Sequence, residues 1–236
     1  MKLKCLATGS NGNCYALIDG DGKILLLDCG LPIKEIKAGI DFRVSDIVGC
    51  LITHAHMDHS KSESDLKKMG IPVITPYKNK VSDANFGNFF IRYFALTDKD
   101  GRFAHSNADG SECPVYGYII MHNTEKPKLL YLTDCEFCKW RFSGMENLLI
   151  GINYADESFT EHDNEMKKRH VMNGHMELKT ACEFIKVTDR DKTLKNVIVG
   201  HMSEHNSDKT LFTDKIAEIT SQANIFISEK GLVIDL

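Results

Sequence analysis

The run Ile52-Thr53-His54-Ala55-His56-Met57-Asp58-His59-Ser60 carries four strong metal-ligand side chains within six residues. It follows the apolar stretch 48–53, so it reads as a strand end turning into a helix. In extended backbone, side chains two positions apart point to the same side, which lets the imidazoles of His54 and His56 converge on one ion. Asp58 and His59, where the chain turns, can reach a second. Imidazole with carboxylate suits Zn2+, Mn2+ or Fe, and two-metal hydrolytic sites hold their ions roughly 3.5–4 Å apart. The plain alternative is a solvated polar loop. With only 10 histidines in the chain, three at this spacing beside an aspartate argue for the metal site. The expected cofactor is two divalent metal ions, Zn2+ or Mn2+, with Fe also compatible.

The rest of the 236-residue chain has to position these groups. Its composition, 42% hydrophobic and 26% charged, is that of an ordinary globular protein able to bury a core without disulfides. A net charge of -4 weighs against a protein that wraps nucleic acid, but not against an enzyme that touches a few phosphates. No apolar run reaches the roughly 18 residues of a membrane-spanning helix, and the opening 1–8 turns polar too soon for a secretory signal. The 8 cysteines lie mostly singly in apolar runs and read as reduced, buried thiols, so a cytoplasmic location is expected. Cys135 and Cys138 form a lone C-x-x-C without the second pair that a structural zinc site needs.

Strand patterns cover 3–7, 14–18 and 23–28, separated by the turn clusters 9–13 and 19–22. A short helix is expected over 32–40, with Pro32 near its first turn. A second helix is expected over 60–69. Strands follow at 71–74, where Pro72 favours a late start, and at 89–94. The polar stretch 97–113 reads as a long loop or hairpin. Further strands are expected at 115–121, 129–133, 148–153, 197–199, 225–228 and 232–234, and helices at 177–187 and 208–221. Strands that come in runs, with helices spaced between them, fit the layers of an α/β sandwich. No repeat or linker divides the sequence, so a single domain is expected over 1–236.

The 54–59 run resembles the HxHxDH signature of the metallo-β-lactamase superfamily, and the likeness extends along essentially the whole chain. Residues 9–13 and Leu27-Asp28-Cys29-Gly30 look like the family's opening strands. Thr133-Asp134, after Lys128-Leu129-Leu130-Tyr131, resembles the element that supplies its bridging aspartate. Gly200-His201-Met202-Ser203-Glu204, after Asn196-Val197-Ile198-Val199, resembles the one that supplies its last histidine. Asn153-Tyr154, Gly174-His175-Met176 and the segment 201–206 are similar to the small bacterial and phage branch called WalJ- or YycJ-like, generally regarded as exonucleases. Gly151 departs from that branch, which more often carries a glutamate there.

The resemblance implies an α/β fold with two facing mixed sheets between outer helices, the four-layer αββα sandwich. It implies that His54, His56 and His105 hold one metal, that Asp58, His59 and His201 hold the other, and that Asp134 bridges them. His122 competes with His105 for the third place, because the path from His105 to the next strand is long. Asp58 is also expected to orient the nucleophile. His175, expected to open a helix after Asn173-Gly174, is placed at the active site by the resemblance. A histidine of near-neutral pKa there can protonate a leaving oxygen or bind the scissile phosphate; its plain alternative is a surface residue at a helix start. Lys167-Lys168-Arg169-His170 could meet phosphates, or be a solvated face.

Such a centre is expected to work through a metal-bridging hydroxide, and the fold alone does not choose the substrate. The first reading is a phosphodiesterase acting on DNA ends, a 5′ to 3′ exonuclease by resemblance. The alternatives are hydrolysis of a cyclic or short nucleotide, to which the acidic net charge lends weight, and of a non-nucleotide ester such as a lactone. The interval from Asp134 to His201 is too short for the inserted domain of the β-CASP nucleases. The expected partner is DNA or a nucleotide, with no membrane; a homodimer is compatible with the sequence.

Overall fold

Apolar alternation sets the architecture of this chain, as a computed structural model shows for residues 1–79, 83–123, 128–158, 174–203, 207–220 and 222–236. The first sheet is built from β1 (Lys2–Ala7), β2 (Cys14–Ile18), β3 (Ile24–Leu27), β4 (Ile47–Leu51), β5 (Val73–Ile74) and β13 (Val233–Asp235), in the order β13-β1-β2-β3-β4-β5. The second holds β6 (Ala84–Phe86), β7 (Phe89–Ala95), β8 (Tyr116–His122), β9 (Lys128–Leu132), β10 (Asn147–Gly151), β11 (Asn196–Gly200) and β12 (Asn224–Ile227), in the order β12-β11-β10-β9-β8-β7-β6. Both are mixed. The β3-β4-β5 and β9-β10-β11-β12 neighbours run parallel, and the remaining neighbours run antiparallel. The helices are α1 (Ile33–Gly39), α2 (Met57–Ser60), α3 (Glu63–Lys68), α4 (Leu178–Thr188) and α5 (Lys209–Ala217).

Three apolar layers follow from the period of two along each strand. Leu25 and Leu27 of β3 meet Tyr118, Ile120, Tyr131 and Ile198 between the sheets. Their neighbours Ile24 and Leu26 point outward instead, into a layer with Ile36 of α1 and Leu66 of α3. On the far side, Leu130, Leu148, Ile150 and Val197 pack under Ala181, Phe184 and Ile185 of α4 and Phe212 and Ile216 of α5. The central strands are thus covered on both faces, which is why Ile24–Leu27 and Asn147–Gly151 are buried throughout. The result is the expected four-layer αββα sandwich.

The structure corrects the sequence pattern in several places. The expected helix 60–69 is split into α2 and α3, because tertiary bonds take its backbone partners. Asp58 O accepts from Asn13 N at 2.7 Å, and Ser62 N donates to Cys29 O at 3.0 Å rather than to the preceding turn. β6 was not expected; it forms by pairing with β7. β5 begins only at Val73, as Pro72 suggests. The stretch 97–113 is a loop pinched by the bridges Thr97↔Phe103 and Ser106↔Glu112. No helix among the described residues is long and apolar enough to cross a membrane.

Candidate metal centre

The parallel strands β3, β4, β9 and β11 end at one edge, and the next residues of each form the site. Asp28 follows β3, Asp134 follows β9 and His201 follows β11, with φ of 56°, 46° and 51°. This left-handed region is uncommon for non-glycine residues, and holding it costs on the order of 1 kcal/mol or more at each position. The surroundings enforce it at His201, whose N–H donates to Thr8 Oγ1 at 2.8 Å while Asn153 Nδ2 donates to its carbonyl at 3.0 Å. His54, Ala55 and His56 form a bend rather than the extended strand their alternation suggested, and α2 then presents Asp58 and His59. The bend still brings the His54 and His56 rings to 4.7 Å between centroids.

Two groups of donor atoms result, His54 with His56 and His105, and Asp58 with His59, Asp134 and His201. Within each, the atoms lie no more than 4.8 Å from one another. Asp134 stands between the groups. Its Oδ2 is 3.7 Å from His54 Nε2 and 3.2 Å from His59 Nε2, and its Oδ1 contacts His201 Nδ1. Three of the rings are each held through one nitrogen, leaving the second for the site. His105 Nδ1 bonds Gly174 O at 2.8 Å, His56 Nε2 bonds Asn107 Oδ1 at 3.0 Å, and His59 Nδ1 bonds Asp28 Oδ2 at 2.7 Å. The nitrogens left over on His105 and His56 approach to 3.1 Å.

His54 Nε2 tests whether the residues fit a metal. It is buried and has no hydrogen-bond partner among the described residues, an arrangement that costs free energy unless something accepts its lone pair. The donor set suits a divalent cation, and every group but one with a resolved shift is already in the form that binds it. The exception is His59: burial would lower it, but Asp134 and Asp28 raise it well above the ordinary histidine value, so a metal there displaces its proton. Burial pushes His54 well below the ordinary histidine value and lowers His105, which keeps both rings neutral. Burial alone would raise Asp134, but His201 and His59 hold its carboxyl well below the usual range; His59 likewise lowers Asp58 against its burial. Neutral imidazoles and ionised carboxylates are the forms that bind metal.

A cleft of about 610 Å³ opens above the centre, lined by Ser10, His56, Asp58, His105, Asp134, His175 and His201 among others. His175 lies between the groups, its ring centroid 5.6 Å from His105 and 5.3 Å from His201. It does not open a helix. The chain runs extended past it, bridging Tyr154 to Glu177, and α4 starts at Leu178 with the Glu177 carboxylate accepting from Thr180 N at 3.0 Å. Burial pushes the His175 ring down to about 4, so it is neutral at pH 7 in the metal-free site. His122 sits elsewhere, at the far end of β8 on the opposite edge, with Nε2 3.3 Å from Asp19 Oδ2. Cys135 and Cys138 are buried free thiols. Lys167-Lys168-Arg169-His170, Asn173 and 204–206 lie outside the described residues.

Three supporting residues escape a reading by residue type. Asp28, fully buried, accepts from Thr53 N at 2.8 Å, from the Tyr131 hydroxyl and from His59, so it fixes the His59 ring. Its signal is a carboxylate closing an apolar strand. Gly174, at φ +84°, lets its backbone approach His105: a Cβ there would stand 2.2 Å from Nδ1. Gly151 leaves room for Thr133, whose Oγ1 would be 2.8 Å from a Cβ at 151 and donates to Asp134 Oδ1 at 2.7 Å. A glutamate does not fit here without displacing that hydroxyl.

Comparison with known proteins agrees with this geometry. Residues 7–68 match the metallo-beta-lactamase superfamily. The chain is 26% identical to exodeoxyribonuclease YycJ of Bacillus anthracis, over 95% of this chain and 90% of the relative. Its fold is similar to the metallo-beta-lactamase fold protein YhfI of Bacillus subtilis, with a TM-score of 0.72 at 15% identity, covering 99% of this chain and 98% of the other. It is also similar to the short form of human tRNase Z, with a TM-score of 0.63 at 15% identity, covering 100% and 99%.

Proposed function

Since the chain is a YycJ-like protein of the metallo-β-lactamase superfamily and a metal-dependent hydrolase, we propose that it is a dinuclear phosphodiesterase that shortens DNA from its ends, a 5′ to 3′ exonuclease in the cytoplasm. The observation that carries the reading is the position of Asp134, whose one carboxylate faces a group of three histidines on one side and Asp58, His59 and His201 on the other. When bound, two divalent ions supply Lewis acidity and lower the pKa of water toward neutrality. The chain's own residues do the rest. Asp58, at the cleft wall, accepts a hydrogen bond from the attacking water and orients it. His175, between the two groups, is an uncharged ring rather than the group titrating near neutrality that was expected, so it donates its ring N–H as a hydrogen bond to the phosphate. It protonates the leaving oxygen only where the bound phosphate's negative charge raises its pKa toward neutrality. The likeness to an exodeoxyribonuclease along nearly the whole chain supports DNA as substrate.

One observation favours a second reading, a short or cyclic nucleotide: none of the described residues lining the cleft is Lys or Arg. A screen of the purified protein, reconstituted with Zn2+ or Mn2+, against end-labelled DNA, RNA, a cyclic nucleotide and a lactone separates the two. The expected result is stepwise shortening of DNA, abolished in Asp134→Ala together with metal at both groups of donors. Turnover of the cyclic nucleotide alone would replace the first reading by the second, and full dinuclear occupancy in Asp134→Ala would refute the shared carboxylate.

A further inference from the structure

His56 and Asp58 face the cleft, but Met57 between them faces the other way and is 65% exposed. It lies in a shallow depression with Ser60, Lys61, Glu63, Ser64, Lys67, Lys68 and Lys78. The four lysines are exposed and meet a single carboxylate. Glu63 is shared by Lys67 and Lys78, at 2.7 Å each, and Lys61 and Lys68 have no ion pair among the described residues. A chain of net charge -4 thus concentrates positive charge on the side of α2 opposite its proposed ligands.

We infer that this face docks the nucleic-acid strand whose end enters the cleft; the inference rests on the phosphodiester reading of the centre. Among the described residues the cleft lining holds no Lys or Arg, and the exposed lysines lie outside it, where a strand's remaining phosphates would be neutralised. An α-helix is about 10–12 Å across; a strand advances about 3.4 Å per phosphate along a duplex axis and roughly twice that when extended, so about two to three phosphates separate the two sides of α2. A strand can engage both the lysines and the cleft, whereas a mononucleotide cannot. The exposed Met57 thioether offers an apolar, polarizable surface for a base.

Fluorescence anisotropy of the intact, metal-loaded protein with a labelled, hydrolysis-resistant phosphorothioate strand of about 12 nucleotides tests this across salt concentration. Each neutralised phosphate contributes about 0.7 to the slope of log affinity against log salt for a single strand. Lys61→Gln/Lys68→Gln should therefore flatten the slope by about 1.4 and weaken binding roughly tenfold at low salt. Glu63→Gln, which releases Lys67 and Lys78, should tighten binding. A double variant with the wild-type slope, or a wild type that binds no strand, overturns the inference. Absence of DNA hydrolysis by the wild type is a separate result, and it refutes the proposed function instead.

Discussion

Asp28 Oδ2 lies 2.7 Å from His59 Nδ1, and neither side chain reaches solvent. The contact fixes which nitrogen of His59 carries the proton and points Nε2 at Asp58 and Asp134. Outer partners of this kind typically account for 10–100-fold in metal affinity. Asp28→Asn should lower affinity by about that factor in a chelator competition, because the amide cannot accept from His59, Thr53 and Tyr131 together. Unchanged affinity would show that His59 needs no such support.

His105→Ala should weaken metal binding and abolish turnover, since its free nitrogen faces His56 at 3.1 Å. His122→Ala should keep both metal and activity, yet lose about 1–3 kcal/mol of stability by leaving Asp19 without its buried partner. Metal analysis and thermal melts of the two variants decide the assignment, and the opposite pattern would move the third ligand to the end of β8.

His175→Ala should retain its metal and lose about 10²–10⁴-fold in hydrolysis of an unactivated phosphodiester. A nitrophenyl ester has a leaving group that departs without a proton, so the variant should keep much of its rate there. Equal loss on both substrates would assign His175 to phosphate binding. No loss on either would remove it from the site.

The same ring gives the metal-free protein a pH signature. Its folded value of about 4 lies below the ordinary 6.5, so the unfolded chain binds more protons between the two. Stability should fall as pH drops through that window, by on the order of 3 kcal/mol from this group. Urea titrations of the chelated protein across the window should show a shallower fall in His175→Gln. An identical pH profile would mean that burial does not perturb the ring.

The centre was legible in unequal parts. His54, His56, Asp58 and His59 stand within six residues, so residue type and spacing alone expose them. Asp134 and His201 have no such local signal; each is one polar residue after a buried strand, and only likeness to a family singles them out. The resemblance put His105 ahead of His122, but residue pattern alone could not, because what separates them is the direction of β8, which carries His122 away from the proposed ligands. The start of the expected 60–69 helix is broken for a related reason, since the bonds that break it come from Asn13 and Cys29, far along the chain. Asp28 shows the same limit. Burial turns an ordinary strand-end aspartate into the brace of a histidine, and periodicity does not report what lies across the sheet.

The bond from His201 N to Thr8 Oγ1 joins the first strand's end to the eleventh's. The proposed ligand set therefore closes a loop of most of the chain, a contact of high sequence separation that forms late and slowly. At a synthesis rate of about 5–20 residues per second, His54 to His59 emerge on the order of ten seconds before His201 exists to join them. During that interval the proposed centre is incomplete, and it lacks only His201 once the first 195 residues are made. A chain cut short before β11 thus keeps six of the seven proposed ligands yet loses both His201 and the strand that carries it to the others.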